Sequence, residues 1–449
     1  MRGMHGRLLL LVAIAAVALS AVLAGPATAK RAYRVVYFDG HMHTVASDGS
    51  GTLDDIKTAA LARGLDAVIV TDHSNMLTFG EWKASAARAR QLSRDGFLML
   101  YGFEVTGSEG LFNRDHLLAW GVNDPFVGAN VDELAPEVVW PSPFNPYGTG
   151  VLYPQNVARW VRYIHDHGGV AVHAHPSGST NPSYGVDYIE LFSLDYVKGV
   201  ASRGVTWGLS LAQAWDLSLT MNNLVLYGER GLEMMVTLPG FPTMTLRQAI
   251  FAATTQETGV GCVLGAPEAP LHSWDELLMA YVSGEVGHPT FAVADTDAHN
   301  TANVSAGSAA DYSDVGECKN GVFVRTLTRG SLLGAIRAGR CFATTGPSLK
   351  VTVNGKMMGQ TAVVNPGSAT TLRLTAQAGS LTAVVAKVTI VRNGEVWGVL
   401  YPMARSFSRT LADTVDEDGY YRIEVMSADV VSGEYQFAYS NPVFVDVEP

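Results

Sequence analysis

The chain has 449 residues, 31 Lys and Arg against 42 Asp and Glu, and a formal net charge of −11. That balance excludes a broad basic surface for nucleic acid. With 47% hydrophobic and 16% charged residues, it also excludes a disordered or fibrous chain. The length suffices for more than one core, and the charge leaves both phosphate and neutral substrates open.

Arg2 and Arg7 precede an uncharged apolar run, Leu8 to Leu23, and Ala27-Thr28-Ala29 follows as a small-x-small cleavage pattern. Residues 1–29 therefore read as a secretory signal peptide, which places the mature protein outside the cytoplasm, secreted or periplasmic. An uncleaved membrane anchor is the alternative, because the run nearly reaches a short spanning length. Cys262, Cys318 and Cys341 are odd in number and lack CxxC spacing. They read as buried or free thiols, and no pairing follows from sequence.

From Tyr33 to about Asn123 strands and helices alternate. Val35, Val36 and Phe38 make a short strand; Thr52 caps a helix from Leu53 to Arg63 that Gly64 ends. Asp66 to Val70 is a buried strand, Trp82 to Leu92 a helix, Phe97 to Phe103 a strand and His116 to Val122 another. Residues 123–154, rich in Pro, Gly and aromatics, read as a long loop. A helix from Gln155 to His167 feeds the strand Val170 to His173, and Tyr188 to Leu191 is a further strand. Residues 228–265 carry no clear pattern. Ser273 to Val282 (helix), Thr290 to Ala294 (strand), Gly321 to Leu327 (strand) and Ser331 to Ala338 (helix) restore the rhythm. Alternating βα units predict parallel strands with helices outside. After Pro347 the texture becomes alternating apolar and polar, with Asn354-Gly355 and Asn393-Gly394 as tight-turn signals. That pattern predicts a small antiparallel β-sandwich.

Chemistry-bearing residues recur at the strand ends. His41 and His43, two apart on an extended segment, point to the same side and suit one cation. Asp48 stands on the turn after them, and His73 ends the second strand. Glu104 follows the third strand, His116 opens the next, His175 ends another, and Asp297 and His299 end a late one. In an α/β barrel such ends converge on one mouth, and core packing does not explain so many ligand-type residues there. Asp72 and His173 lie beside ligand candidates and read as orienting groups. His165 and His167 sit at a helix end, where a cation complements the dipole.

The order HxH-TxxSDG, TDH, strand-end Glu, AHP and DxH resembles the PHP (polymerase and histidinol phosphatase) family over roughly residues 33–347. Within it, the Gly339-Arg340-Cys341-Phe342-Ala343-Thr344-Thr345-Gly346-Pro347 segment is similar to the GRxFxTxGP of the CehA/McbA-like metallohydrolases. The resemblance implies an α/β fold: a distorted (β/α)7 barrel over residues 30–347, followed by the sandwich over 348–449. It implies two or three divalent ions (Zn, Mn or Fe). The first would take His41, His43, Glu104 and Asp297; the second His116 and His175 with Glu104 bridging; the third Asp48, His73 and His299.

The implied reaction is phosphoester hydrolysis by a metal-bridging hydroxide, with no catalytic group separate from the ligands. Arg114 and Arg340 are the cations available to hold a phosphate. Hydrolysis of a carboxylic ester or carbamate is the alternative within enzymes. A metal-stabilised carbohydrate or cell-wall binding module is the alternative outside them. The expected partner is a small-molecule ester, with no nucleic acid and no membrane after signal cleavage.

Overall fold

The computed structural model describes residues 32–74, 76–77, 79–105, 116–122, 154–176, 180–192, 235–236, 244–245, 268–299, 315–429 and 435–448. The signal segment, the loop at 123–153, Arg114 and Cys262 lie outside the described residues.

The N-terminal strands follow the expected order. β1 (Arg34–Asp39), β2 (Ala67–Val70) and β3 (Leu98–Tyr101) pair in parallel. The connecting helices are α1 (Leu53–Ala62) and α2 (Phe79–Leu92). Thr52 and Asp55 form a reciprocal capping box at the start of α1. The expected strand from Phe97 to Phe103 divides at Gly102, whose missing side chain matters: a Cβ there would lie 2.2 Å from the Ala119 carbonyl oxygen. The chain thereby leaves the first sheet and enters a second as β4 (Phe103–Val105).

The second sheet runs in the order β10-β7-β6-β5-β4. Its other strands are β5 (His116–Trp120), β6 (Val170–Ala174), β7 (Tyr188–Phe192) and β10 (Phe291–Ala294). α3 (Pro154–Asp166) precedes β6, and α4 (Glu268–Val282) precedes β10. Two short strands, β8 (Met235–Val236) and β9 (Met244–Thr245), pair only with each other. β6, β7 and β10 are parallel, as the βα rhythm predicts. β5 is not: it runs antiparallel to both β4 and β6. Only residues 106–115 separate β4 from β5, fewer than a parallel crossover needs.

The described strands therefore form open sheets, and a strand ladder does not close them into a barrel. One seam is the step at Gly102. Side-chain amides span the other. Asn320 accepts from the Ala294 amide at 3.0 Å and donates to its carbonyl at 2.9 Å. Asn441 does the same for Ala292, at 2.7 and 3.1 Å. The free edge of β10 thus finds partners on the neighbouring sheet without a paired strand.

β11 (Lys319–Val324), α5 (Arg329–Arg337) and β12 (Cys341–Thr344) complete this half. β11 lies beside β1, and β12 pairs antiparallel with β11. The Gly339–Pro347 segment forms the turn out of α5, β12 and a corner in which the Thr344 hydroxyl donates to the Pro347 carbonyl at 2.7 Å. Cys318 and Cys341 are buried free thiols.

The C-terminal region is strand-rich, and no helix appears among its described residues. β13 (Ser348–Val353), β14 (Lys356–Met357), β16 (Ser368–Gln377) and β19 (Ser406–Val415) form a four-stranded antiparallel sheet. It packs on a layer made of β15 (Thr361–Val364), β17 (Ala383–Arg392), β18 (Glu395–Leu400), β20 (Gly419–Asp429), β21 (Tyr435–Ser440) and β22 (Val443–Val447). Alternating residues such as Leu349, Val351, Leu372 and Leu374 meet Val388, Ile390, Ile423 and Val425 in a shared core. Both expected turns are present, with Asn354, Gly355, Asn393 and Gly394 all at positive φ, the geometry of two-residue hairpins. β15 departs from the antiparallel expectation by pairing in parallel with β22.

Pairing of β12 with β21 makes this layer continuous with the sheet of β1, β2 and β3, and residues 35–449 form one compact unit. A buried clamp reinforces the joint. Arg422 on β20 donates from Nε and Nη2 to the two oxygens of Asp275 on α4, at 2.7 and 2.6 Å. The Tyr420 hydroxyl adds a bond of 2.6 Å to the same carboxylate, and the guanidinium lies 5.1 Å from the centre of the Trp274 ring. Arg422 also donates from Nη1 to the part-buried Glu424, so loss of Asp275 leaves the guanidinium one carboxylate in place of two. Asp275→Ala is expected to lower the unfolding free energy by roughly 1.5–3 kcal/mol, the worth of lost hydrogen bonds to a charged group, measured by chemical denaturation. A loss below about 1 kcal/mol, the worth of an exposed pair, would show that water already solvates the clamp.

Candidate metal centre

Two short parallel bridges beyond the regular strands build the site. Met42 pairs with Ala298, and His73 pairs with Glu104. In the first bridge the His43 amide donates to the Ala298 carbonyl at 2.8 Å and the Ala298 amide to the His41 carbonyl at 3.3 Å. Side chains alternate along extended backbone. Met42 and Ala298 accordingly turn into the core, fully buried, and the ligand candidates on either side of each come together. Gly49 tightens the turn carrying Asp48: a Cβ there would lie 2.4 Å from the His43 carbonyl oxygen.

Glu104 is the hub, and it is fully buried. Its Oε2 lies 3.4 Å from His41 Nε2, 3.3 Å from His43 Nε2 and 2.9 Å from His73 Nδ1. Its Oε1 lies 2.6 Å from His116 Nδ1 and 3.3 Å from His175 Nε2. Asp297 Oδ1 closes the first group, 3.1 Å from His41 Nε2 and 3.0 Å from His43 Nε2. At metal–ligand distances of about 2.0–2.2 Å, donors at the corners of a tetrahedron lie about 3.3–3.6 Å apart. The four separations of 3.0–3.4 Å that link His41, Glu104, His43 and Asp297 in a ring are near that spacing, and Asp297 also groups with His41 and His175. His41 Nε2 and Glu104 Oε2 are moreover buried and make no regular hydrogen bond, being held only by the charges around them, an arrangement that a cation between them would satisfy.

A second gathering lies on the outer side. Donor atoms of His43, Asp48, His73 and His299 fall within 4.8 Å of one another. Asp48 stands 3.4 Å from both His73 Nε2 and His299 Nε2, and 3.7 Å from His43 Nδ1. His116 and His175 share Oε1 of Glu104, but each also completes a set of its own: His116 with His73 and Glu104, His175 with His41 and Asp297. All nine sequence-derived candidates therefore converge, although His116 and His175 group differently from the expected second position. His175 and Asp297 have φ of 30° and 53°. Non-glycine residues rarely adopt this region, and such strain gathers at functional sites.

The supporting residues differ in part from expectation. Asp72 touches no ring in the cluster. It accepts from the Thr44 amide and hydroxyl at 2.6 and 2.8 Å, from Ser47 at 2.6 Å and from Tyr101 at 2.6 Å, and so anchors the turn between His43 and Asp48. His173 pairs with the Thr180 hydroxyl at 2.7 Å. The φ of His175 breaks the alternation that would have set both side chains on one face. Arg340 is not brought to the site. β11 starts on the cluster side, where Gly316 bonds Asp39 and Asn320 bonds Ala294 and Asp295; β12 runs back along it with Cys341 opposite Val322, so Arg340 lies at the far end, where it donates to the Gly334 carbonyl at 3.4 Å. Three buried carboxylates escaped the sequence reading: Glu190, Asp39 and Asp295. Asp39 accepts from the Thr296 hydroxyl at 2.6 Å, and Asp295 from the Gly40 amide at 2.7 Å, which fixes the segments around His41 and Asp297. A charged residue inside the otherwise apolar run Tyr188–Phe192 was the available signal for Glu190.

Charge reinforces the geometry. Burial by itself would raise the Glu104 pKa, but the surrounding histidines, led by His41 and His116, hold it well below the usual carboxylate range. Burial likewise works against charging His73 and His299. The carboxylates beside them prevail and raise these rings to about 10 and about 9. His41 is raised well above its ordinary value, with Asp297, Glu190 and Glu104 outweighing its burial.

A sequence model of the PHP domain matches residues 39–135. No curated protein matches the chain. Among solved structures, the chain is similar to a two-domain protein of Bacteroides vulgatus containing a predicted PHP-like metal-dependent phosphoesterase. Identity is 13%, with 92% of this chain and 95% of that one covered and a TM-score of 0.34. It is also similar to an amidohydrolase of Chromobacterium violaceum with bound sulfate and no metal, at 19% identity, 38% and 83% coverage and a TM-score of 0.24.

Because His73 and His299 keep protons up to about pH 10 and pH 9 in the absence of metal, an ion binding beside Asp48 must displace them. Affinity is therefore expected to rise with pH and to level off above those values. Titration calorimetry in buffers of different ionisation heat should detect the protons released. Flat affinity across the neutral-to-alkaline range would contradict it.

Proposed function

We propose that this chain is a metal-dependent hydrolase acting on small phosphoesters, exported by its N-terminal signal and lying outside the cytoplasm. The nine side chains His41, His43, Asp48, His73, Glu104, His116, His175, Asp297 and His299 hold two or three divalent ions. The observation that carries this reading is the gathering of His41 Nε2, His43 Nε2, Glu104 Oε2 and Asp297 Oδ1 at separations of 3.0–3.4 Å, with His41 Nε2 and Glu104 Oε2 buried and making no regular hydrogen bond. The PHP domain match over residues 39–135 supports it. The two sheets, meeting at the Gly102 step and the Asn320–Asn441 seam, are in keeping with a distorted (β/α)7 barrel opened at two places. The further resemblance to the CehA/McbA-like hydrolases is part of the same proposal, as is a division into residues 30–347 and 348–449.

Divalent ions held there would supply Lewis acidity and a water of lowered pKa. The chain's own residues do the remaining work. Glu104 and Asp297 supply negative charge, and Asp48 draws His73 and His299 together on the outer side. Asp72 holds the turn that aims His43 and Asp48. No helix among the described residues is long and apolar enough to cross a membrane.

Arg340, one of two cations expected to face a phosphate, lies away from the cluster. That favours, as a second reading, a neutral carbonyl substrate such as a carboxylic ester or carbamate. Metal analysis followed by assay on matched nitrophenyl phosphate, phosphodiester, acetate and carbamate separates the two. Turnover of phosphate esters is expected; turnover of acetate or carbamate alone would establish the second reading. Bound metal without hydrolysis of any of them would favour a binding module. His41→Ala is expected to lower activity by at least ~100-fold, beyond what losing a mere ligand support costs, with the C-terminal sheets still folded by circular dichroism. Retained turnover would contradict the proposed site.

A further inference from the structure

Glu190 stands in the middle of β7, 1% exposed, in a strand whose neighbours are Tyr188, Ile189, Leu191 and Phe192. A carboxylate so placed is costly unless both its oxygens find donors. Both do, and each donor belongs to a residue of the metal centre. Oε1 lies 2.8 Å from Nδ1 of His41, and Oε2 accepts the backbone N–H of His175 at 2.7 Å. Glu190 nonetheless belongs to none of the donor sets among the described residues that are close enough to share an ion.

We propose that Glu190 is a positioning residue that sets how both His41 and His175 present their ring nitrogens to metal. The inference rests on the metal reading above. With Glu190 accepting at Nδ1, His41 carries its ring proton there and directs the Nε2 lone pair toward Glu104 and Asp297. That nitrogen is the one left without a hydrogen-bond partner.

The second contact acts on backbone. His175 follows β6 directly and would continue it in extended conformation, yet its φ is 30°. The N–H, fixed by the peptide that ends β6, is taken by Oε2 of Glu190, and the rotation at the next bond turns the side chain and the chain beyond it. The turn brings His175 Nε2 to 3.3 Å from Glu104 Oε1. Without Glu190 the His41 ring is free to exchange tautomers, and the His175 backbone is free to relax toward the β6 direction. One carboxylate thus orients a donor of the first group and a donor on the other oxygen of Glu104. A Gln in its place offers only one acceptor and sets its NH2 group against an N–H donor. Asp keeps the charge but falls one methylene short.

The test uses full-length protein with Zn2+ or Mn2+ alone as the probe. Affinity is measured by chelator competition, and thermal midpoints are recorded with and without metal. Glu190→Gln is expected to weaken binding roughly 10- to 100-fold and to shrink the metal-induced rise in midpoint, because stabilisation follows occupancy. Glu190→Asp is expected to fall between Gln and wild type. A Gln variant whose metal-free midpoint drops while its affinity equals wild type overturns the inference and leaves the metal reading standing. Wild type that binds neither ion overturns both.

Should Glu190→Gln fail to fold, the wild type itself carries the test. In protein labelled with 15N-histidine and loaded with cadmium-113, His41 is expected to couple to cadmium through Nε2 and to hold its proton on Nδ1. Coupling through Nδ1 overturns the inference.

Discussion

The centre depends on one buried carboxylate meeting five imidazoles. Glu104 reaches His41, His43 and His73 with one oxygen and His116 and His175 with the other. An isolated buried carboxylate is among the most expensive groups in a protein. Here the surrounding rings hold it ionised, and it in turn draws together residues just beyond β1, β2 and β6 and the first residue of β5. The same mutual charge favours divalent cations, which replace protons on the histidines while leaving the carboxylates ionised.

Holding that arrangement requires the two sheets to meet at a fixed distance. At Gly102 the chain itself crosses from one to the other, passing so near Ala119 that no side chain fits. At the opposite seam the amides of Asn320 and Asn441 reproduce the backbone pairing that β10 lacks. Asn320 also donates to Asp295 at 2.8 Å, so this seam is joined directly to the segment carrying Asp297. Asn441 follows β21, which makes the C-terminal layer part of the support beneath the strands that carry the cluster. The Asp275–Arg422 clamp binds the same two regions through α4. The Gly339–Pro347 segment serves at the junction between the two regions, away from the cluster.

Much of this was legible in the chain. Local alternation was enough to place His41 and His43 on one side, and the capping residue Thr52 and both Asn-Gly turns follow from short-range backbone chemistry. Glu190 was harder to see, since a lone acid in an apolar strand gains its meaning only from what lies across the sheet. Arg340 misled because a strand's direction in the sheet decides which end of the molecule its first residue occupies.

The candidate ligands, the strand ends that carry them and the strand-rich character of the last hundred residues were readable from the chain alone, because these depend on periodicity and on chemistry within a few residues. Tertiary structure alone decided the rest. His116 opens its strand, which in an all-parallel arrangement would have placed it at the far end. Only because β5 runs antiparallel does that opening residue face Glu104. Which ring nitrogen of His41 turns inward, and how His175 leaves β6, are likewise set by Glu190 from across the sheet. Such pairings carry no local signal, because they join separate strands: His116 and Glu104 stand 12 positions apart, His175 and Glu190 15, and His41 and Glu190 149.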